Sequence, residues 1–234
     1  MNTKSKKNSF IKKALRFLWK IFLWFNILSI AIVVIYKFIP VPFTPLMAIR
    51  YIEQSKNKEK TTYSHQWVAI ENISPHLQKA VIASEDALFL EHYGFDIKSM
   101  KKAYDGNKKG KRIKGGSTIS QQTAKNVFLW PGRSYIRKIF EAYYTLLIEI
   151  IWGKERILEV YLNSIEMGNG TYGAQAASQK WYKKQANNLS VKEAAGIAAI
   201  LPNPRKYNPV NSSGYINRRK SKIARHLQHV KLEF

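Results

Sequence analysis

The first candidate for chemistry is the carboxylate of Glu85, which stands beside Asp86 in a stretch predicted to be helical. Helical spacing places Glu85 one turn from the apolar residues Val81 and Leu88. Apolar surroundings raise the pKa of a carboxylate, which prepares it for acid–base work near neutral pH. An acidic residue at the rim of a helix, paired with a lysine, fits the same stretch, and this stretch alone favours that simpler interpretation.

The run GGSTISQQTAK at 115–125 carries a polar face behind two glycines. Glycines free the backbone just before a predicted helix start, where unpaired N–H groups and the helix dipole favour an anion. Thr118, Gln122 and Lys125 recur at helical spacing, with Gln121 beside them. Glycine followed by serine is also an ordinary helix N-cap. A whole face of uncharged donors that ends in a lysine is much less common on a solvated helix.

A second carboxylate, Glu141, follows the cations Arg133, Arg137 and Lys138. Arg137 and Lys138 lie four and three residues before Glu141, so all three share a helix surface. One interpretation is an ordinary surface ion pair, worth a few tenths of a kcal/mol. The other is a carboxylate embedded in a phosphate-binding cluster.

Charge and composition limit the class of partner. The chain has 234 residues and a net charge of +24, and its length predicts one or at most two domains. The positive electrostatic field of a chain with this net charge attracts nucleic acid, an anionic membrane surface or a phosphorylated lipid substrate. The absence of cysteine excludes disulfides, thiolate metal sites and a cysteine nucleophile.

The apolar segment 17–39 is long enough for one tilted membrane crossing. Its charges, Lys20 and Lys37, lie near the ends, and no cleavage site of small residues follows it, so we expect an uncleaved anchor rather than a signal peptide. Cations cluster before the segment, which predicts a cytoplasmic tail at 1–16 and an exported domain after Pro40. An exported domain makes nucleic acid an improbable partner. Two glutamates, an anion-binding helix start and an anchor together suggest sugar chemistry on a lipid-linked phosphate, although spacing cannot separate hydrolysis from transfer.

Helical patterns dominate the exported part, and no alternating strand pattern stands out after Pro45. The basic stretch 98–114 is predicted to be a mobile loop. The predicted helices begin after a capping residue or a glycine. With their bounding residues they are Ser74–Gly94, Gly115–Gly132, a helix capped by Ser134, Lys154–Asn163, and Ser190–Leu201. The last begins with a capping box between Ser190 and Glu193. The predicted organisation is a tail at 1–16, a transmembrane helix at 17–39, a membrane-proximal linker at 40–66 and a mostly α-helical catalytic domain at 67–234.

Several short motifs follow one another in order between residues 67 and 209. They are Glu85-Asp86 with Phe89, His92 and Gly94; Gly115 to Gln122; Arg137-Lys138 with Glu141; Arg156 to Asn163; and Leu201 to Pro204. Together they resemble the peptidoglycan glycosyltransferases, family 51 of the glycosyltransferases, and most closely the monofunctional biosynthetic transglycosylases. The chain departs from the usual motifs at Ser120, where threonine is usual, and at Trp181-Tyr182, where Tyr-Phe is usual.

The resemblance implies a lysozyme-like, bilobal helical domain behind one transmembrane helix. It implies that Glu85 is the general base that deprotonates the acceptor 4-hydroxyl, which attacks C1 of the lipid-pyrophosphate-linked chain with inversion. Glu141 would be the second catalytic carboxylate, beside the pyrophosphate. The residues that the resemblance implies in substrate binding are Asp86, Phe89, His92, Ser117, Thr118, Gln121, Gln122, Lys125, Arg133, Arg137, Lys138, Glu159 and Asn163.

The resemblance also implies the partners of the chain. They are lipid II and the growing glycan strand, membrane lipids, and cell-division or elongation proteins, with no nucleic acid. The expected location is the cytoplasmic (inner) membrane, with the catalytic domain on its outer side. A divalent cation, Mg²⁺ or Mn²⁺, is expected at the donor pyrophosphate, because the leaving group carries charge. Two alternatives remain: a membrane-anchored lytic muramidase and a non-enzymatic basic cell-wall scaffold.

Overall fold

The computed structural model describes residues 3–57, 61–108, 116–132 and 134–234. It divides into two compact units, Met1–Ile39 and Pro40–Phe234. The first unit is a single helix, α1 (Thr3–Phe38). Its portion Phe10–Phe38 has a mean hydropathy of 2.2 and is long and apolar enough to cross a membrane. The predicted apolar N-terminal helix is therefore confirmed, and it begins before the predicted residue 17.

The second unit is mostly helical, as predicted. Its helices are α2 (Pro45–Lys56), α3 (Pro75–Glu85), α4 (Ile97–Lys108), α5 (Ile119–Phe128), α6 (Tyr135–Ile151), α7 (Lys154–Ser164), α8 (Ala174–Tyr182), α9 (Val191–Ile200) and α10 (Gly214–His226). Short 3-10 helices lie at Ile70–Asn72, Ala186–Asn188 and Leu227–His229. The apolar core has two parts: α9 packs between α3 and α10, and α5 packs against α6 and α7.

Most helix starts are where the capping residues predict them. Ser74 and Ser134 cap α3 and α6, and Ser190 forms a capping box with Glu193 at the start of α9. The N-cap of α5 is Thr118, slightly later than the predicted start at the glycines. These caps are local hydrogen bonds between a side chain and a nearby backbone N–H, so the sequence pattern is enough to place them.

The prediction of a continuous helix from Ser74 to Gly94 is wrong, because α3 ends at Glu85. The next residue, Asp86, leaves the helical region with φ −159° and ψ 77°. Its carboxylate accepts a hydrogen bond of 2.9 Å from the backbone N–H of Ile119. This contact with a segment distant in sequence turns the chain out of the helix.

The prediction of a mobile loop at 98–114 is wrong for residues 98–108, which belong to α4. Asp96 starts this helix, since its side chain accepts a hydrogen bond of 2.9 Å from the N–H of Ser99. Lysines have good helix propensity, so a lysine-rich stretch with such a cap forms a helix. The rest of the predicted loop, 109–114, lies outside the described residues.

The segment 40–66, expected to be a linker, contains α2 and the strand β1 (Ser64–His65) within the second compact unit. β1 pairs in parallel with β3 (Thr171–Tyr172), which pairs antiparallel with β2 (Glu166–Gly168). Strands of two or three residues are too short to show an alternating pattern, so they could not be predicted from the sequence.

Candidate active site

Glu85 ends α3 with its side chain only 15% exposed. Its two carboxylate oxygens accept hydrogen bonds from different elements. Ser84 Oγ donates to Oε1 over 3.2 Å, and Gln122 Nε2 of α5 donates to Oε2 over 3.4 Å. The hydroxyl of Tyr161 donates to Gln122 Oε1 over 3.2 Å, which keeps the amide N–H of Gln122 turned toward Glu85.

Burial raises the pKa of Glu85 above its ordinary value. The hydrogen bond from Gln122 and the positive charge of Arg219 act in the opposite direction. Arg219 Nη2 lies 3.9 Å from Glu85 Oε1 and donates to Ser84 Oγ over 3.0 Å. The raised pKa agrees with the direction predicted from the apolar neighbours of Glu85, and a higher pKa makes this carboxylate a better proton acceptor than an ordinary glutamate.

Asp86 is buried and joins three segments through its carboxylate. His92 Nε2 lies 3.0 Å and 3.1 Å from the two oxygens, and the N–H of Ile119 donates to Oδ2. Ile119 is the first residue of α5, so the carboxylate also lies at the positive end of that helix dipole. Asp86 and His92 therefore fix the turn after Glu85 against the start of α5.

The predicted polar face of α5 has two functions. Thr118 and Gln121 are buried and form the capping box, and Thr118 Oγ1 also donates to the carbonyl of Gly94 over 2.7 Å. Gln122 and Lys125 lie on the cavity side of the helix. The sequence pattern therefore predicted a polar face that exists, but Thr118 and Gln121 stabilise the start of the helix, and Gln122 and Lys125 face the cavity.

Glu141 is buried on α6 and is paired with both cations predicted beside it. Arg137 Nη1 donates to Glu141 Oε2 over 2.5 Å, and Lys138 Nζ donates to Oε1. Arg137 is itself buried, whereas the side chain of Lys138 is 43% exposed. The cluster is therefore more than a surface ion pair, since both the carboxylate and one guanidinium are taken out of water.

An open cavity of about 580 Å³ lies beside these residues. Its polar lining residues are Arg50, Ser117, Gln122, Lys125, Asn126, Arg137 and Glu166. Its apolar lining residues are Leu46, Leu129, Trp130, Pro131, Ile165, Leu201, Pro202 and Pro204, with Gly132. A smaller cavity of about 160 Å³ is lined by Glu85, Asp86 and Ser117 among others. Ser117 lines both cavities, so the carboxylate side and the cationic side of the site are contiguous.

Lys125 lies three residues after Gln122, on the same face of α5. Burial lowers its pKa, and the Glu141 carboxylate acts in the opposite direction. Within the described residues the side-chain ammonium of Lys125 makes no hydrogen bond or ion pair. Its ammonium group is therefore available to an anion in the cavity.

Six of the described residues predicted to bind substrate line neither cavity: Phe89, His92, Gln121, Lys138, Glu159 and Asn163. Phe89 is fully buried beneath Lys154, whose Nζ lies 4.7 Å from the ring centroid. Glu159 is paired with Arg156 on its own helix. The Asn163 side chain accepts from Val68 N and donates to Val68 O, over 3.0 Å and 2.9 Å. These residues support the site through packing and hydrogen bonding. Arg133 lies outside the described residues.

Sequence reasoning missed Arg50, Glu166 and Arg219, and it gave no role to Tyr161, which lies in the motif at 156–163. Arg50 belongs to α2, in the segment taken as a linker, and Arg219 belongs to α10, for which no motif was identified. Their roles depend on contacts between segments far apart in sequence. A helical assignment of residues 45–56 would have been the one available signal for Arg50.

The residues around the cavity do not form a ligand set for a metal ion. Within the described ranges no group of three His, Asp or Glu side chains is placed to hold one. Both oxygens of Glu141 are engaged by Arg137 and Lys138. Mg²⁺ at a phosphate site is usually held by one or two carboxylates together with the phosphate oxygens, so the divalent cation expected at the pyrophosphate stays a prediction.

The chain is similar to known proteins over most of its length. A family model described as Transglycosylase matches residues 52–228. The biosynthetic peptidoglycan transglycosylase of Bacteroides thetaiotaomicron is 52% identical over 215 residues, which are 92% of this chain and 87% of the relative. The protein of the same description from Caulobacter vibrioides is 48% identical over 217 residues, 92% of each chain. That of Bdellovibrio bacteriovorus is 51% identical over 204 residues, 87% of this chain and 82% of the relative. With the family model and these relatives covering most of its sequence, the chain belongs to the transglycosylase family.

Proposed function

We propose that this chain is a monofunctional peptidoglycan glycosyltransferase that polymerises glycan strands from lipid II. The observation that carries the proposal is one partly buried carboxylate, Glu85, hydrogen-bonded to Gln122, which lines the same cavity as Lys125 and Arg137. A base next to an anion site matches a reaction in which a sugar hydroxyl displaces a pyrophosphate. The relatives are described as biosynthetic peptidoglycan transglycosylases, which favours transfer over hydrolysis.

In the proposed reaction Glu85 takes the proton of the acceptor 4-hydroxyl. The oxygen forms a bond to C1 of the growing chain from the face opposite the pyrophosphate, so the configuration at C1 inverts. The bond between C1 and the phosphate oxygen breaks with its electron pair, and undecaprenyl pyrophosphate leaves. The raised pKa of Glu85 supports the role of base, since it brings proton affinity closer to working pH.

Lys125, Arg137 and Lys138 are proposed to hold the leaving pyrophosphate, with Glu141 keeping two of them in place. Negative charge on the bridging oxygen grows as the C1–oxygen bond breaks. Fixed cations therefore stabilise the transition state more than the bound precursor. Ser117 and Gln122 are proposed to line the path between base and leaving group.

α1 is proposed to be a single membrane anchor, with the N-terminus in the cytoplasm and the unit Pro40–Phe234 on the outer side of the cytoplasmic membrane. The support is its apolar length together with the cations that precede the span. This orientation places the domain where lipid-linked precursor and membrane lipids are within reach. Recruitment by cell-division or elongation proteins belongs to the same proposal.

The direct test is to incubate the full chain in detergent with lipid-linked disaccharide-peptide. We expect polymer to form and undecaprenyl pyrophosphate to be released in step with it. Purified glycan polymer offered alone should remain intact. Release of reducing ends from that polymer, with no consumption of precursor, would make the chain a lytic muramidase instead. A chain inert toward both would leave only the scaffold role.

A further inference from the structure

The large cavity has an additional cation that the motifs do not include. Arg50, on α2, lines the cavity together with Lys125 and Arg137, and its positive charge contributes to lowering the pKa of Lys125. Glu166 is the one acidic residue among the described lining residues, so the cavity retains an excess of positive charge.

Two carboxylates orient the Arg50 guanidinium. Glu53 accepts from Nη1 over 2.5 Å on the same helix, and Glu166 Oε2 lies 4.0 Å from Nε. That second distance is too long for a hydrogen bond. The Nε atom is buried and makes no hydrogen bond within the described residues. An arginine held at a cavity wall with an unused buried donor is a strong candidate for contact with an anion.

Arg137 has the same feature. Its Nε is also buried without a hydrogen-bond partner in the described part of the chain. These are the two arginine Nε atoms in that condition among the described residues, and both side chains line this one cavity. Together with the unpaired ammonium of Lys125 they form three cationic donors that a single polyanion can satisfy.

We propose that Arg50 is a substrate-binding residue for the pyrophosphate of the lipid-linked donor, with α2 forming a wall of the donor site. This inference rests on the proposed function for the identity of the donor. In this proposal α2, which lies before the first sequence motif, binds substrate directly. It is then more than part of a linker between α1 and the catalytic domain. The unused donors of Arg50 and Arg137 would be completed by phosphate oxygens.

The test uses the full chain in detergent and three substitutions on α2: Arg50→Gln, Arg50→Lys and Lys56→Gln. Lys56 is an exposed cation six residues along the same helix and does not line the cavity, so it controls for net charge. The first measurement is the affinity for inorganic pyrophosphate by calorimetry. We expect Arg50→Gln to weaken it about tenfold, Arg50→Lys to weaken it less, and Lys56→Gln to leave it unchanged.

Melting temperature reports whether each variant is folded. An unchanged pyrophosphate affinity in a folded Arg50→Gln protein would overturn the proposal, as would an equal loss in Lys56→Gln. If Arg50→Gln does not fold, the smaller change Arg50→Lys decides the matter in the same assay. The pyrophosphate assay does not require polymerisation. The proposed function and the proposed role of Arg50 can therefore be refuted independently. A chain that forms no polymer but binds pyrophosphate through Arg50 would refute the proposed function and keep this site.

Discussion

At the scale of single residues, the site depends on one carboxylate that is kept out of water without being neutralised by a close partner. Arg219 is 3.9 Å from Glu85, and the hydrogen bonds to Glu85 come from the neutral donors Ser84 and Gln122. Glu141 shows the opposite arrangement, with two cations directly bonded to it. The structure thus gives the two glutamates different surroundings, and a carboxylate with no cation bonded directly to it accepts a proton more readily than one held by two cations.

The substitution Glu85→Gln tests the role of base. We expect polymerisation to fall by at least about a hundredfold, because the amide keeps the shape of the side chain but cannot take the proton. Thermal stability should rise at neutral pH, since the raised pKa means that the charged carboxylate is disfavoured in the fold. Glu91→Gln, on an exposed carboxylate of the following turn, is the control and should change neither property.

The difference in thermal stability between Glu85→Gln and the wild-type protein should also depend on pH. A raised pKa in the native state means that folding takes up a proton between the ordinary value and the raised one. Wild-type stability therefore falls as pH rises through that window, and the advantage of Glu85→Gln grows from acid toward neutral pH. Activity of the variant within a few-fold of wild type, or an advantage independent of pH, would contradict the assignment.

The pH profile of kcat/KM tests Glu85 and Lys125 together. Activity needs the charged forms of both, so the acid limb should lie above the ordinary pKa of a glutamate, 4.5, and the alkaline limb below that of a lysine, 10.5. Lys125→Arg should shift the alkaline limb upward and leave the acid limb in place, because arginine stays charged. An alkaline limb that is the same in both proteins would mean that Lys125 does not control it.

At the scale of elements, the start of α5 is the point on which the site converges. The Asp86 carboxylate bonds its first backbone N–H, and the carbonyl of Gly94 accepts from its cap Thr118. The turn between α3 and α4 and the start of α5 are therefore fixed to each other. That connection keeps Glu85, at the end of one helix, opposite Gln122, on the first turns of another.

The substitutions Gly94→Ala and Gly153→Ala separate backbone strain from crowding. Both glycines have left-handed φ, +80° and +78°. A Cβ at Gly94 would lie 2.7 Å from Thr145 Cγ2, whereas a Cβ at Gly153 would meet nothing within 4 Å. We expect Gly153→Ala to cost about 1 kcal/mol of unfolding free energy, and Gly94→Ala about 1–3 kcal/mol more.

Denaturant unfolding of the two variants measures these costs, and polymerisation assays add a functional readout. Gly94→Ala should also reduce turnover, because the displaced turn carries His92 and bears on Asp86. Gly153→Ala should leave turnover near wild type. Equal losses of stability in the two variants would show that φ alone accounts for both glycines.

The elements also show how far the sequence can be interpreted without the structure. Helix starts at Ser74, Ser134 and Ser190 were predicted, because a cap is a local hydrogen bond. The end of α3 was not, because it depends on Asp86 meeting Ile119, 33 residues later. The same limit applies to the site: motifs identified Glu85 and Lys125, while Arg50 became visible when the fold placed α2 against the cavity.

At the scale of the whole molecule, two different forces are available to hold the chain at a membrane. The Phe10–Phe38 portion of α1 offers burial of apolar side chains in hydrocarbon, which is insensitive to salt. The net charge of +24 offers attraction to anionic lipids, which salt screens. The proposed function needs insertion of the apolar helix, because the precursor and the growing product are lipid-linked and polymerisation must continue at physiological ionic strength.

Vesicle binding by the full chain and by a form lacking residues 1–39 distinguishes the two forces. The truncation keeps the compact unit Pro40–Phe234, so we expect it to remain folded and to polymerise precursor in detergent at a reduced level. It should bind anionic vesicles at low salt and be released at about 1 M salt, where the Debye length shrinks to about 3 Å. The full chain, reconstituted in the same vesicles, should stay bound at both salt concentrations and be more active on vesicle-embedded precursor. Release of the full chain by salt would show that α1 does not insert, and equal activity of both forms on vesicles would show that the anchor has no part in access to substrate.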